Sequence, residues 1–121
     1  MEDKPLIMAV DHNPRNLELL SQFLAKEGYR VTGVSALEEL DTILDRGEVL
    51  DLVLLDLAGY DRNIWDRCER LRKSSIPFLI ISPGTSHALQ QESLSHGARG
   101  VLTKPLVVKE LLTLIRSLVG R

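Results

Sequence analysis

The chain has 121 residues, of which 44% are hydrophobic and 26% are charged, and this composition is typical of one globular domain. Its formal net charge of −2 gives no electrostatic basis for binding nucleic acid, and its apolar runs are too short to span a bilayer. The acidic start "MEDKP" lacks the hydrophobic core of a signal peptide, so we expect a cytoplasmic location. The one cysteine, Cys68, cannot form an internal disulfide, and we interpret it as a buried structural thiol.

Short apolar segments recur along the chain and predict β-strands. They cover residues 6–10, 30–34, 52–55, 78–81 and 100–103. Three of them, "LIMAV", "LVLL" and "FLII", are apolar throughout, which is typical of strands that helices cover on both faces.

Helical patterns follow the first two strands. Asn13 and Pro14 predict the N-cap and the first residue of a helix that ends at Gly28. Ser35 with Glu38 predicts a capping box at the start of the second helix.

Three further helices are predicted after the remaining strands. Asp61 is expected to cap the third helix, and the segment after Ser86 and before Gly97 predicts a weaker fourth one. Residues 108–119 carry a clear amphipathic pattern. Strand and helix therefore alternate five times, which predicts an α/β fold, a single doubly wound parallel sheet of five strands with helices on both faces.

Polar side chains stand at the carboxyl ends of four of these strands, where open parallel sheets carry their functional crevice. Asp11 and His12 follow the first strand, Asp56 the third, Ser82 the fourth and Lys104 the fifth. Each residue alone fits a turn or a solvated surface. Together they suit phosphoryl transfer to a carboxylate, since a carboxylate can form an acyl phosphate and cations stabilise the transferred group.

The segments "AVDHNP", "LVLLDL", "LIIS" and "VLTKP" resemble the receiver domain of bacterial response regulators in two-component signalling, and the resemblance covers the whole chain. It implies one receiver domain over residues 1–121, with the flavodoxin-like strand order 2-1-3-4-5 and a cis peptide bond after Lys104. It makes Asp56 the phosphoacceptor, Lys104 its cationic partner and Ser82 the switch hydroxyl. Asp11, Asp56 and the backbone of Ala58 are the metal ligands it implies, with Mg²⁺ as the cofactor.

His12 departs from the family, which places an acidic magnesium ligand at this position. Imidazole suits zinc, copper or nickel better than Mg²⁺, so we expect weak magnesium binding. Three interpretations stay open. Asp11 takes over the ligand role, protonated His12 pairs with Asp56, or the site binds a transition metal.

Two further departures concern the loop after Asp56 and the switch. The loop "DLAGYDRN" is about two residues shorter than usual and has no proline, so Gly59 is expected to rebuild its turn. Val101 occupies the place of an aromatic switch residue and is stiff at its first torsion. Pro83 stiffens the loop after Ser82, so we expect a muted conformational response.

The first functional interpretation is a receiver that accepts a phosphoryl group on Asp56 from a sensor histidine kinase or phosphotransfer protein and switches a protein-interaction surface. The alternative is a phosphorylation-independent pseudo-receiver that acts as an interaction module. A flavodoxin-like cofactor binder is remote, because "DHNPRN" is not a phosphate-binding loop rich in Ser, Thr and Gly. We expect an output domain or a homodimer as further partners, no nucleic acid or membrane, and no enzymatic turnover beyond self-phosphorylation and autodephosphorylation.

Overall fold

The computed structural model describes residues 4–120, and strands and helices alternate along them. The elements in chain order are β1 (Leu6–Val10), α1 (Pro14–Lys26), β2 (Arg30–Val34), α2 (Leu37–Asp45), β3 (Leu52–Asp56), α3 (Ile64–Lys73), β4 (Phe78–Ser82), α4 (His87–Ser95), β5 (Val101–Thr103) and α5 (Val108–Val119). Within these residues no helix combines the length and the apolar character needed to cross a bilayer.

The five strands form one parallel sheet in the order β2-β1-β3-β4-β5, which confirms the expected fold class and strand order. The register places Val10 beside Leu55, and Ser82 beside Thr103. Carboxyl ends of neighbouring strands therefore lie along one edge of the sheet, where the predicted site residues stand.

Two hydrophobic clusters cover the two faces of the sheet. In β3, Val53 and Leu55 pack into the cluster that includes Leu40 of α2 and Leu71 of α3. The intervening residues of that strand, Leu52 and Leu54, belong to the opposite cluster with residues of α1 and α5. Because side chains alternate between faces, a strand buried on both sides must be apolar throughout, as the sequence pattern of β3 indicates.

Cys68 lies inside the cluster of α2 and α3 and is fully buried, as predicted. Burial raises the pKa of its thiol to about 12, so the thiolate that reacts with oxidants is disfavoured. Its role in the described fold is packing.

The predicted start of α1 is confirmed, whereas the predicted capping box of α2 is wrong. Asn13 accepts hydrogen bonds from the backbone N–H groups of two residues in the first turn of α1. The N-cap of α2 is Ala36 rather than Ser35, and its N–H donates to the Glu39 carboxylate at 3.2 Å. Only this half of a capping box is present, one residue after the predicted Ser35 and Glu38, because alanine has no side-chain acceptor for the other half.

The prediction that Asp61 caps α3 is also wrong, while the predicted fourth helix is present as α4, with Ser86 as its N-cap. Asn63 occupies the N-cap of α3. Asp61 instead stabilises the preceding turn, since its carboxylate accepts the Asn63 N–H at 2.9 Å and its carbonyl accepts the Ile64 N–H at 3.2 Å. Ser86 accepts the N–H of Leu89 through its hydroxyl.

Candidate functional site: an acidic pocket at the edge of the sheet

Asp11, Asp56, Ser82 and Lys104 meet at the carboxyl edge of the sheet. Asp56 and Ser82 are the last residues of β3 and β4, and Asp11 and Lys104 directly follow β1 and β5. Three of them are almost fully buried, with 5% of Asp11, 2% of Asp56 and 2% of Ser82 exposed. Their burial follows from the sheet, because hydrogen-bonded strands on both sides enclose the tips of β1, β3 and β4.

Both carboxylate oxygens of Asp56 have partners. Oδ2 lies 2.5 Å from Nζ of Lys104, and Oδ1 accepts the N–H of Ala58 at 2.9 Å. Lys104 is held in place by its own backbone, whose N–H donates to the Ser82 carbonyl at 2.9 Å. The Lys104–Pro105 peptide bond is cis, as the resemblance implies.

Asp11 shares the pocket with Asp56, and the two carboxylates influence each other. The Asp11 carboxylate accepts the Asn13 N–H at 2.8 Å. Burial is the main cause that raises the pKa of Asp11, and the nearby Asp56 adds to it, while the Asn13 N–H and Lys104 act in the opposite direction. One lysine beside two buried carboxylates leaves the pocket short of positive charge.

The carboxylate oxygens of this pocket are suitable ligands for Mg²⁺. The ion prefers oxygen ligands and usually binds through one or two carboxylates while it keeps several waters. Asp11 and Asp56 supply two such carboxylates. The role of the Ala58 carbonyl as a metal ligand stays a prediction, since Ala58 contacts Asp56 through its N–H.

His12 does not join the two carboxylates. His12 is exposed, and its ring lies nearly perpendicular to the Tyr60 ring, with ring centroids 5.7 Å apart and an interplanar angle of 86°. Within residues 4–120, no group of three or more His, Cys, Asp or Glu side chains is arranged to hold a metal ion. Over the same residues the ion-pair partner of Asp56 is Lys104 rather than His12. The geometry therefore favours neither the transition-metal interpretation nor the pairing of His12 with Asp56.

Gly59 rebuilds the turn after Asp56, as predicted. The N–H of Tyr60 donates to the Leu57 carbonyl at 3.3 Å, and Gly59 has a φ of +87° at the third position of this turn. A positive φ there is typical of a type II turn and is adopted most easily by glycine. The shortened loop is therefore closed by a tight turn.

Tyr60 is a residue of the site region that sequence reasoning missed. Its hydroxyl donates a hydrogen bond to the backbone carbonyl of Ser35, in the loop between β2 and α2. Burial raises the pKa of Tyr60 to about 12, and the carboxylates of Asp11 and Asp56 contribute in the same direction. The phenol therefore stays a donor at neutral pH. The only sequence signal was a tyrosine directly after Gly59 in a shortened loop.

Ser82 and Val101, the two predicted switch residues, lie near each other. The Ser82 hydroxyl donates to the Gly84 carbonyl at 2.6 Å, so it is engaged by its own loop. Val101 is half-buried, and together with Ser82 and Thr103 it lines a cavity of about 250 Å³. The space beside Val101 is thus open on the side of α4.

The sequence of residues 7–116 matches the response regulator receiver domain. Together with the parallel sheet and its acidic edge, this match shows that the chain belongs to the receiver domain family of two-component response regulators.

Particular relatives support the same assignment. The chain is 31% identical over 120 residues to the sensory transduction protein RegX3 of Mycobacterium tuberculosis, an alignment that covers 95% of this chain and 51% of that protein. RegX3 of Mycolicibacterium smegmatis is similar to the same degree, with 50% of its length covered. The chain thus spans about half the length of the curated relatives it matches.

Solved structures agree in fold. The receiver domain of TorR, the response regulator of the TMAO respiratory system, superposes with a TM-score of 0.86 at 25% identity and covers 97% of this chain and 98% of its own. A two-component response regulator from Clostridium difficile gives a TM-score of 0.87 at 21% identity, with 98% of both chains covered.

Proposed function

We propose that Asp56 accepts a phosphoryl group from a phosphohistidine on a sensor histidine kinase or a phosphotransfer protein. The observation that carries this proposal is the pair of contacts on Asp56. A lysine Nζ lies 2.5 Å from one carboxylate oxygen, and a backbone N–H donates to the other at 2.9 Å. Both are positive partners that a transferred phosphoryl group needs.

The transfer is a displacement at phosphorus. A carboxylate oxygen of Asp56 forms a bond to phosphorus while the bond between phosphorus and the donor imidazole nitrogen breaks. The electron pair of the broken bond stays on the imidazole nitrogen, and the product on this chain is an acyl phosphate. Lys104 and the Ala58 N–H, which contact the Asp56 carboxylate, would stabilise the negative oxygens.

Asp11 and Asp56 would hold Mg²⁺ beside the transferred group. When bound, the ion supplies positive charge that offsets the charge of the phosphoryl oxygens. Phosphorylation then shifts the population of conformations of a protein-interaction surface, which an output domain or a second receiver reads.

A second candidate function is a phosphorylation-independent interaction module. The observation in its favour is that His12 replaces an acidic residue and contacts Tyr60 instead of the two carboxylates. In that case the bridge between Lys104 and Asp56 is a permanent structural ion pair.

Mass spectrometry of the intact protein after treatment with acetyl phosphate and Mg²⁺ separates the two functions. The proposal expects a gain of one phosphoryl group, which Asp56→Asn abolishes. Asp66→Asn is the matched control, since it removes an exposed carboxylate from α3 outside the pocket. Equal labelling of the Asp56→Asn variant would overturn the assignment of Asp56, and no labelling of the wild type by acetyl phosphate or by a phosphorylated kinase would favour the interaction module.

A further inference from the structure

Three loops at the carboxyl edge of the sheet are tied together by side chains. The loop after β1 contributes His12, the loop after β3 contributes Tyr60, and the loop after β2 contributes the Ser35 carbonyl. The Tyr60 ring lies nearly perpendicular to the His12 ring, and its hydroxyl donates a hydrogen bond to the Ser35 carbonyl. We call these three residues the loop strap.

The loop strap depends on a close approach between His12 and Gly59. A Cβ atom placed on Gly59 would lie 2.8 Å from Cγ of His12 and 2.9 Å from its Cβ. Real Cβ atoms essentially never come this close to another atom. Position 59 must therefore lack a side chain where the His12 imidazole lies against it. The two departures from the family pattern, an imidazole at position 12 and a short loop with Gly59, are therefore in contact with each other.

The same turn positions a group on Asp56. Ala58 lies between Leu57 and Gly59, and its N–H donates to Oδ1 of Asp56 at 2.9 Å. The hydrogen bond that closes the turn, from Tyr60 N–H to the Leu57 carbonyl, measures 3.3 Å and is longer than the usual range for a strong bond. The same turn also contacts His12 through Gly59 and Tyr60, and Ser35 through the Tyr60 hydroxyl.

We propose that His12 is a positioning residue, whose ring packs on Gly59 and Tyr60 and so holds the Ala58 N–H on the carboxylate that receives the phosphoryl group. The proposal rests on the function proposed for Asp56. The role belongs to the flat ring and not to a metal-binding nitrogen, because the recorded contact of His12 is edge-to-face with an aromatic ring. A phenylalanine at position 12 can therefore perform it.

The first test measures amide hydrogen exchange of Ala58 without any phosphodonor or metal. His12→Ala should speed this exchange by about two- to tenfold, the range that an aromatic pair contributes. His12→Phe should leave exchange close to the wild-type rate. Tyr60→Phe keeps the ring contact but loses the Ser35 hydrogen bond. Its Ala58 exchange rate should therefore lie between those of His12→Phe and His12→Ala. Gln22→Ala, on the exposed surface of α1, is the control and should have no effect.

The second test measures the rate of Asp56 labelling against the concentration of acetyl phosphate. His12→Ala should lower the maximal rate by about two- to tenfold with little change in the half-saturating concentration, and His12→Phe should restore it. Equal exchange at Ala58 in wild type and His12→Ala, or failure of phenylalanine to restore either property, would overturn the role of His12. Failure of the wild type to label would overturn the function proposed for Asp56 and would leave the exchange test valid.

Discussion

His12 stands beside Asp11, next to a pocket where a third carboxylate would add an oxygen ligand for Mg²⁺. An imidazole is a poor ligand for this ion, and the His12 ring contacts Tyr60. We expect His12→Asp to tighten magnesium binding by at least about tenfold, equivalent to ~1.4 kcal/mol. Calorimetric titration of Mg²⁺ into both proteins measures the difference without any phosphodonor.

His12→Asn is the matched control for this prediction. It offers a neutral amide oxygen without the charge of a carboxylate and should improve binding less than Asp does. If wild type and His12→Asp bind Mg²⁺ equally, Asp11 and Asp56 already supply all the protein ligands that the ion uses.

Sequence reasoning located the pocket residues but not the loop strap. Asp11, Asp56 and Lys104 could be predicted to converge because each follows a strand of one parallel sheet. The contact between His12 and Tyr60 could not, since it depends on the conformation of two loops and on the positive φ of Gly59. A local sequence pattern cannot predict a contact between two loops that are distant in the chain.

At the scale of the elements, α4 is attached to α3 by a polar cluster near its end. The His96 ring stacks on Trp65 with centroids 4.8 Å apart and an interplanar angle of 13°. Nδ1 of His96 lies 2.9 Å from Oε2 of Glu69. The other carboxylate oxygen of Glu69, Oε1, pairs with Arg72 at 2.9 Å. Only Ser93 of α4 is buried, so these contacts matter for the position of the helix.

We expect Glu69 to make this attachment sensitive to acid. The hydrogen bond to His96 is the main cause that lowers the pKa of Glu69, and Arg72 contributes. A carboxyl group whose pKa is lower in the folded protein contributes its full stabilisation at pH values above 4.5, the ordinary pKa of glutamate. This stabilisation is lost as the pH falls from 4.5 through the lower pKa of the folded state. We therefore expect the free energy of unfolding to fall less below pH 4.5 in Glu69→Gln than in wild type.

Denaturant titrations on either side of this pH measure the difference between the two proteins. Glu48→Gln is the control, because Glu48 pairs with Arg46 only at 3.8 Å and lies outside the cluster of α3 and α4. Parallel pH profiles of wild type and Glu69→Gln would contradict the coupling between Glu69 and His96.

The bounds of the helices show where local sequence patterns fail. Ser35 has the side chain of an N-cap, yet α2 begins at Leu37 with Ala36 as its cap. The Ser35 carbonyl accepts a hydrogen bond from Tyr60, which is 25 residues away in the chain. A pattern read over four residues cannot include that contact, whereas the apolar periodicity that predicts the helix itself is local.

At the scale of the whole molecule, the alternation of strand and helix was sufficient to predict a doubly wound parallel sheet. The strand order came from the family resemblance, because apolar runs such as those of β1, β3 and β4 do not state which strand is their neighbour. The effect that the proposed phosphorylation of Asp56 would have on the fold depends on how the pocket is linked to α4 and α5.

We expect that link to be weak at Val101. In wild type we expect phosphorylation to change amide chemical shifts near Asp56, Ser82 and Lys104 without spreading through residues 86–112, because valine has no ring to swing and is stiff at its first torsion. The cavity of about 250 Å³ that Val101 lines offers room for a larger side chain. Val101→Phe should therefore extend the shift changes into α4 and α5, while Val101→Ile, also branched at Cβ, should leave them local.

Two-dimensional NMR spectra before and after labelling with acetyl phosphate give the measurement. Extensive changes across residues 86–112 in the wild type would mean that the chain transmits phosphorylation without an aromatic side chain at position 101.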